Sequence, residues 1–234
     1  MTANTPTVRP PSSAVADFLT RASNVPAPVP GQARGRLLFA MDATASRGPT
    51  WAQAIGMQAD MFREAAGLGG LEVQLAYYRG LMEFSASPWT IDASAMVAAM
   101  QRVGFLAGET QIERTLRHAV AETRKRKLNA VVFIGDAVEE PPDALTAAAG
   151  ELGILGVPVF VFHEGGAEPA ATAFKAIARV TRGAYAAFDA SSSHKLRDLL
   201  RGVAAYAAGG KKALAELAKS GGDDMLRLTR QIGG

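Results

Sequence analysis

The sequence has no cysteine among its 234 residues. Disulfides, thiolate metal sites and thiol nucleophiles are therefore excluded, and the composition is compatible with a cytoplasmic location. Histidine is nearly as scarce: three residues at scattered positions make a zinc site unexpected. No apolar run approaches the ~18–20 residues that cross a bilayer, so no membrane span is expected. The start, Met1-Thr2-Ala3-Asn4-Thr5-Pro6, lacks a charged region followed by an apolar stretch, so no signal peptide is expected. Neither charge sign dominates. With 25 Lys+Arg against 22 Asp+Glu the formal charge is +3, which reads as a solvated surface and not as a nucleic-acid interface. There is no Gly-x-x-x-x-Gly-Lys phosphate loop, and no Ser-His-Asp arrangement can be assembled. Catalysis is therefore not the expected role.

What is present is apolar and patterned. Hydrophobic residues make up 48% of the chain, enough for one sizeable core with an extra segment. Residues 1–34 carry Pro6, Pro10, Pro11, Pro26, Pro28 and Pro30 and read as a Pro-rich, flexible lead-in. Within it, Val15, Phe18 and Leu19 have the spacing of a short docking helix. Residues 35–208 form the predicted domain, and 209–234 a helical C-terminal extension.

The domain is organised around Arg36-Leu37-Leu38-Phe39-Ala40-Met41-Asp42-Ala43-Thr44-Ala45-Ser46. It begins as a continuous apolar run, the mark of a strand buried on both faces. It then breaks into one carboxylate and two hydroxyls at alternate positions. Such a loop, expected to be exposed, can turn three oxygens toward one point, and oxygen-only donors suit hard cations such as Mg²⁺, Mn²⁺ or Ca²⁺. Asp42, Thr44 and Ser46 are equally at home as turn and helix-cap residues.

Beyond this stretch, strands and helices alternate. A helix is predicted after Pro49, with Trp51, Ile55, Phe62 and Ala66 on one stripe. Leu71, Val73, Leu75 and Tyr77 mark a strand, and after Gly80 a short antiparallel strand is predicted over Leu81–Ser85. Asp92 caps a helix that turns Met96, Val97, Met100 and Val103 inward. A helix over 111–127 buries Ile112, Leu116, Ala119 and Val120, with Glu113–Arg117 and Glu122–Arg126 pairs on its other face. Apolar strands are predicted at Ala130–Ile134 and Val157–Phe162, and a last strand at Tyr185–Phe188. Helices are predicted after Pro141-Pro142, over about 170–181, and after Ser191, the last with Leu196, Leu199, Leu200, Val203 and Tyr206. This is a Rossmann-like, doubly wound α/β fold: a mostly parallel sheet, one antiparallel edge strand and helices on both faces.

Ligands of such sheets bind beyond the carboxyl ends of the strands, where strand order reverses. Asp42 and Asp136 each follow a buried strand, and Gly108-Glu109-Thr110 starts a helix that can reach the same crevice. Asp42, Thr44, Ser46, Thr110 and Asp136 form the candidate set. Glu139 and Glu140 read as caps of the helix at Pro141, and His163 as a surface or capping residue.

This arrangement resembles the von Willebrand factor A (VWA) domain family, in its intracellular bacterial type, and its metal-ion-dependent adhesion site (MIDAS). Asp42-Ala43-Thr44-Ala45-Ser46 stands where the family has Asp-x-Ser-x-Ser, Thr110 where it has its second-loop Thr, and Asp136 where it has its third-loop Asp. Thr181-Arg182-Gly183-Ala184-Tyr185 resembles its last helix-to-strand passage. Thr44 replaces the usual Ser and keeps the hydroxyl; Ala137 stands where Gly is common. The resemblance implies a Mg²⁺ (or Mn²⁺ or Ca²⁺) held directly by hydroxyls, with the aspartates often acting through water. Such a cation seeks a carboxylate from outside. The implied function is protein–protein interaction: capture of a partner's Asp or Glu, with a separate AAA+ ATPase or multiprotein complex as the implied setting. Two other readings remain. One is a Mg²⁺-dependent hydrolase or phosphatase with Asp42 as nucleophile, against which stands Thr44 where a second Asp is wanted. The other is a metal-free structural domain.

Overall fold

The computed structural model describes residues 34–47, 71–189, 198 and 200–209. The apolar run Leu37–Met41 builds strand β1 (Gly35–Asp42), buried along its whole length. A buried strand must find hydrogen-bond partners on both edges. On one side lies β2 (Leu71–Arg79), parallel to it, with β3 (Glu83–Ala86) antiparallel beyond. On the other side lie β4 (Ala130–Gly135), β5 (Val159–Glu164) and β6 (Ala184–Phe188), all parallel. The order is β3-β2-β1-β4-β5-β6, so β3 is the antiparallel edge strand and the order reverses between β1 and β4. The described helices are α1 (Ala93–Gln101), α2 (Ile112–Lys125), α3 (Pro142–Ile154), α4 (Ala170–Val180) and α5 over residues 200–209.

Alternate residues of β1 serve opposite faces of the sheet. Leu37, Phe39 and Met41 share a core with Met96 and Met100 of α1 and with Leu200 and Val203 of α5. Leu38 and Ala40 share the other with Ile112 and Leu116 of α2, Leu145 of α3 and Phe174 of α4. Each large side chain buried this way contributes about 1.5–3 kcal/mol. The central strand therefore stays apolar from Leu37 until its chain reaches the crevice at Asp42.

Some elements differ from the sequence expectation. The chain turns over Gly80–Met82, and β3 begins at Glu83, two residues later than Leu81. Gly80 has φ +58°, open to glycine at no steric cost, and Leu81 and Met82 stand at the tip, 68% and 79% exposed. Val157 and Pro158 precede β5, since Pro158 has no amide hydrogen for the ladder.

On α2 the Glu113–Arg117 pair forms, at 2.7 Å, but the Glu122–Arg126 pair does not. Glu122 is buried, accepts from Trp89 Nε1 and Lys125 Nζ at 2.7 Å each, and lies 3.4 Å from Arg36 Nη2. Arg126 pairs with Glu72 instead. The Arg36 guanidinium is buried beneath the Trp89 ring, 3.7 Å from its centre. Glu72 also lies 3.5 Å from Arg36 Nε but is shared with Arg126, and a buried cation short of counter-charge costs several kcal/mol, whereas an exposed i,i+4 pair is worth about 0.3–0.5. Glu122 therefore turns inward.

The Pro-rich lead-in up to residue 33, with Val15, Phe18 and Leu19, lies outside the described residues. So do the stripe Trp51, Ile55, Phe62 and Ala66, the positions Leu196 and Leu199, and the C-terminal extension from residue 210.

Candidate functional site

The site lies beyond the carboxyl ends of β1 and β4. Met41 pairs in register with Ile134, so Asp42 and Asp136 leave neighbouring strands at nearly the same height. Neighbouring strands run about 4.8 Å apart, which sets the two loops side by side.

The first loop is closed by its own carboxylate. Asp42 Oδ1 accepts the Thr44 N–H at 2.7 Å, and Oδ2 accepts the Tyr78 hydroxyl at 3.1 Å. This is an Asx-type turn, which suits Asp before a change of direction. Thr44 Oγ1 and Ser46 Oγ then lie 3.0 Å apart, and a 3-10 turn, Ala45–Arg47, follows. The loop is not exposed throughout: Asp42 is 0% exposed and Thr44 is buried, while Ser46 is exposed. The reason is the pairing with Tyr78, which lies opposite Asp42 on β2 and draws the carboxylate under the rim.

The second loop is held by backbone bonds to both neighbours. Leu106 N–H donates to Ala43 C=O at 3.3 Å, and Leu106 C=O accepts Gly80 N–H at 3.1 Å. Gly108 lies so close to the hairpin that a Cβ there would stand 2.0 Å from Gly80 O. Thr110, at its end, is buried.

The third loop reaches across to the second. Thr110 N–H donates to Glu139 Oε2 at 2.7 Å, and Thr110 Oγ1 accepts Glu139 N–H at 2.9 Å. The Thr110 hydroxyl donates to Glu140 Oε2. Glu140 Oε1 accepts the N–H groups of Ile112 and, at 3.1 Å, Glu113. These acids were expected to cap the helix at Pro141. Instead, Glu140 caps α2, whose own N-cap residue Gln111 makes no side-chain cap bond, and Glu139 holds the backbone of Thr110 just before it. Unpaired N–H groups at a helix start attract carboxylates through both hydrogen bonding and the helix dipole.

Asp136 Oδ1 is buried and has no hydrogen-bond partner among the described residues. The backbone carbonyl of the same residue accepts from His163 Nε2 at 3.2 Å, and His163 Nδ1 accepts the Tyr185 hydroxyl at 2.9 Å. His163 was expected at the surface or as a cap; it is 0% exposed and packs edge-on against Phe174. Burial pushes its pKa below the ordinary histidine value, against the pull of the Asp136 carbonyl. It therefore serves as a neutral strut beneath the third loop.

The structure thus brings Asp42, Thr44 and Ser46 together, joins Thr110 to the third loop, and sets Asp136 on the adjacent strand end. Among the described residues, no three His, Cys, Asp or Glu side chains gather as metal ligands. Any cation here would rely on hydroxyls beside two acids, and such oxygen donors suit a hard ion. Sequence reasoning missed Tyr78 and the cross-loop role of Glu139 and Glu140. Only strand register signals the first.

The sequence matches no protein-family profile and no curated protein. Solved structures do match. The VWA domain of SpRpn10 superposes with TM-score 0.58 at 11% identity, over 70% of this chain and 95% of that one. The chain has the VWA fold. An aerotolerance-related membrane protein from Bacteroides fragilis superposes with TM-score 0.56 at 17% identity, over 71% of this chain and 98% of that one. A von Willebrand factor type A protein from Catenulispora acidiphila gives TM-score 0.60 at 16% identity, over 76% of this chain and 43% of its own. In the VWA fold the crevice between β1 and β4 is the strand-order reversal where α/β sheets take their ligands.

Proposed function

We propose that this VWA-fold chain is a protein-binding module that holds a divalent cation, Mg²⁺ above all, and captures an Asp or Glu of a partner. The observation that carries this reading is Asp136 Oδ1, a buried carboxylate oxygen with no hydrogen-bond partner beside a hydroxyl-rich crevice. An orphaned buried acceptor costs about 1–3 kcal/mol, and a cation would offset it. Thr44, Ser46 and Thr110 would hold the ion, with Asp42 and Asp136 supplying negative charge. The bound ion would supply an electrophilic centre open to an outside carboxylate. Asp42 would act mainly by fixing the loop, since both its oxygens already accept hydrogen bonds. The rim supports a protein partner: Leu81, Met82, Phe105 and Leu106 are exposed large apolar side chains on the hairpin tip and second loop. The finer reading, an adaptor for a separate AAA+ ATPase, rests on fold analogy alone.

The hydrolase reading is weaker. A nucleophile must face its substrate, and Asp42 is buried with both oxygens occupied. The metal-free reading accounts for Asp42 closing its loop but not for Asp136.

The test is isothermal titration of the chain with Mg²⁺, followed by partner capture with and without chelator. Ser46→Ala is the variant of choice because Ser46 is exposed and its loss spares the core. Wild type should bind one Mg²⁺ and capture partner only without chelator; Ser46→Ala should lose both while melting normally. Equal capture in chelator and in Ser46→Ala would refute the metal contact. Phosphoester turnover lost with Ser46 would favour the hydrolase.

A further inference from the structure

The third loop holds a feature that the metal reading does not use. A threonine hydroxyl has one hydrogen and two lone pairs. At Thr110 the hydrogen goes to Glu140, and one lone pair takes the Glu139 N–H. One lone pair is left, and its direction is fixed by the other two bonds. We propose that Glu140 is the positioning residue of the site: it takes the Thr110 proton and thereby presents the remaining lone pair for a cation. This inference rests on the reading of Thr110 as a metal ligand.

The same carboxylate also holds the first N–H groups of α2. Glu140 thus ties the orientation of one hydroxyl to the start of a helix. Without an acceptor the hydroxyl can rotate, and its hydrogen can point at the place where the ion would sit. Residues that orient metal ligands from behind typically change metal affinity by about 10–100-fold when replaced. Glu139 provides the control. Its side chain accepts only the Thr110 backbone N–H, and its contact with Oγ1 comes from its own backbone, which any substitution keeps.

The experiment is Mg²⁺ titration of the full chain by calorimetry, with melting in chelator as the measure of fold. Wild type, Glu140→Gln and Glu139→Gln are compared. Both substitutions remove one negative charge from the same loop, but only in the first do the Ile112 and Glu113 N–H groups hold the remaining amide oxygen and turn an NH2, which cannot accept, toward the Thr110 hydroxyl. The expected result is a 10–100-fold weaker Mg²⁺ dissociation constant for Glu140→Gln and a change within about threefold for Glu139→Gln. Should Glu140→Gln fail to fold, Glu140→Asp replaces it. That variant keeps the charge, withdraws it from the hydroxyl by one methylene, and is expected to lose affinity as well. Equal losses in the Glu139 and Glu140 variants would mean a general charge effect and overturn the proposal. Wild-type affinity in the Glu140 variant would overturn it too. No Mg²⁺ binding by the wild-type chain would overturn the metal reading itself, and this inference with it.

Discussion

A buried carboxylate oxygen without a hydrogen-bond partner lowers stability unless something else satisfies it. Asp136 Oδ1 is such an atom, and it gives the residue-scale prediction. Asp136→Asn keeps the shape and removes the charge. In chelator the unfolding free energy of this variant, measured in urea, should equal or exceed that of wild type, by up to about 1–3 kcal/mol. In Mg²⁺ the order should reverse, because only wild type gains from the ion. A loss of stability in chelator would show that Asp136 is structural. The candidate residues themselves were legible because they sit in short local motifs: Asp42, Thr44 and Ser46 within one turn, and Thr110 at a helix start. Their partners were not. Tyr78 reaches Asp42 through the pairing of two strands 36 positions apart, and Glu140 reaches Thr110 across 30 positions. No local pattern encodes either contact.

Helix α2 shows why elements were easier to place than to orient. Its apolar stripe, Ile112, Leu116, Ala119 and Val120, is buried as its spacing requires. Its polar residues follow a different logic. Glu122 has the spacing of a solvated pair with Arg126 but answers the buried Arg36. His118 reaches Gln74 of β2 across 2.9 Å and lies against Phe84 of β3. Burial lowers the His118 pKa below its ordinary value; the Glu122 carboxylate opposes the shift and Lys125 reinforces it. A histidine with a lowered pKa in the folded state takes its proton more readily when unfolded. Its contribution to stability is therefore complete above the unfolded value, about 6.5. It is lost as pH falls from there through the folded value. The urea midpoint should be higher at pH 7.5 than at pH 5.5, and His118→Gln should reduce that difference. Buried His163 titrates in the same direction, so a smaller slope should remain. Glu122 acts lower: burial raises its pKa, but the bonds from Lys125 and Trp89 outweigh this and leave it below its ordinary value. An unchanged slope in His118→Gln would assign the pH dependence elsewhere. At this scale the apolar turn residues Leu81 and Met82 also explain the displaced start of β3: their hydrophobicity reads as strand, yet they occupy the exposed tip.

For the molecule as a whole, a ligand that binds only the folded state adds stability by mass action. At a hundred times its dissociation constant the gain is about 2.7 kcal/mol. For a chain of this size each kcal/mol moves the melting midpoint by about 2–4 °C. Saturating Mg²⁺ should therefore raise Tm by roughly 5–10 °C, and chelator should reverse the rise. A midpoint indifferent to Mg²⁺ would count against a resident cation. Doubly wound order was readable because both-face burial leaves strands with no polar alternation, as in Leu37–Met41 and Ala130–Ile134. One residue, Leu106, joins the rim to the crevice. The Leu106 N–H holds Ala43, its C=O holds Gly80, and its side chain is exposed. Such a residue works as a link: its two backbone bonds tie the Gly80 hairpin to the loop that follows Asp42. Pressure on the Leu106 side chain is therefore felt one residue from Asp42, and by reciprocity any change at Asp42 alters how readily Leu106 yields.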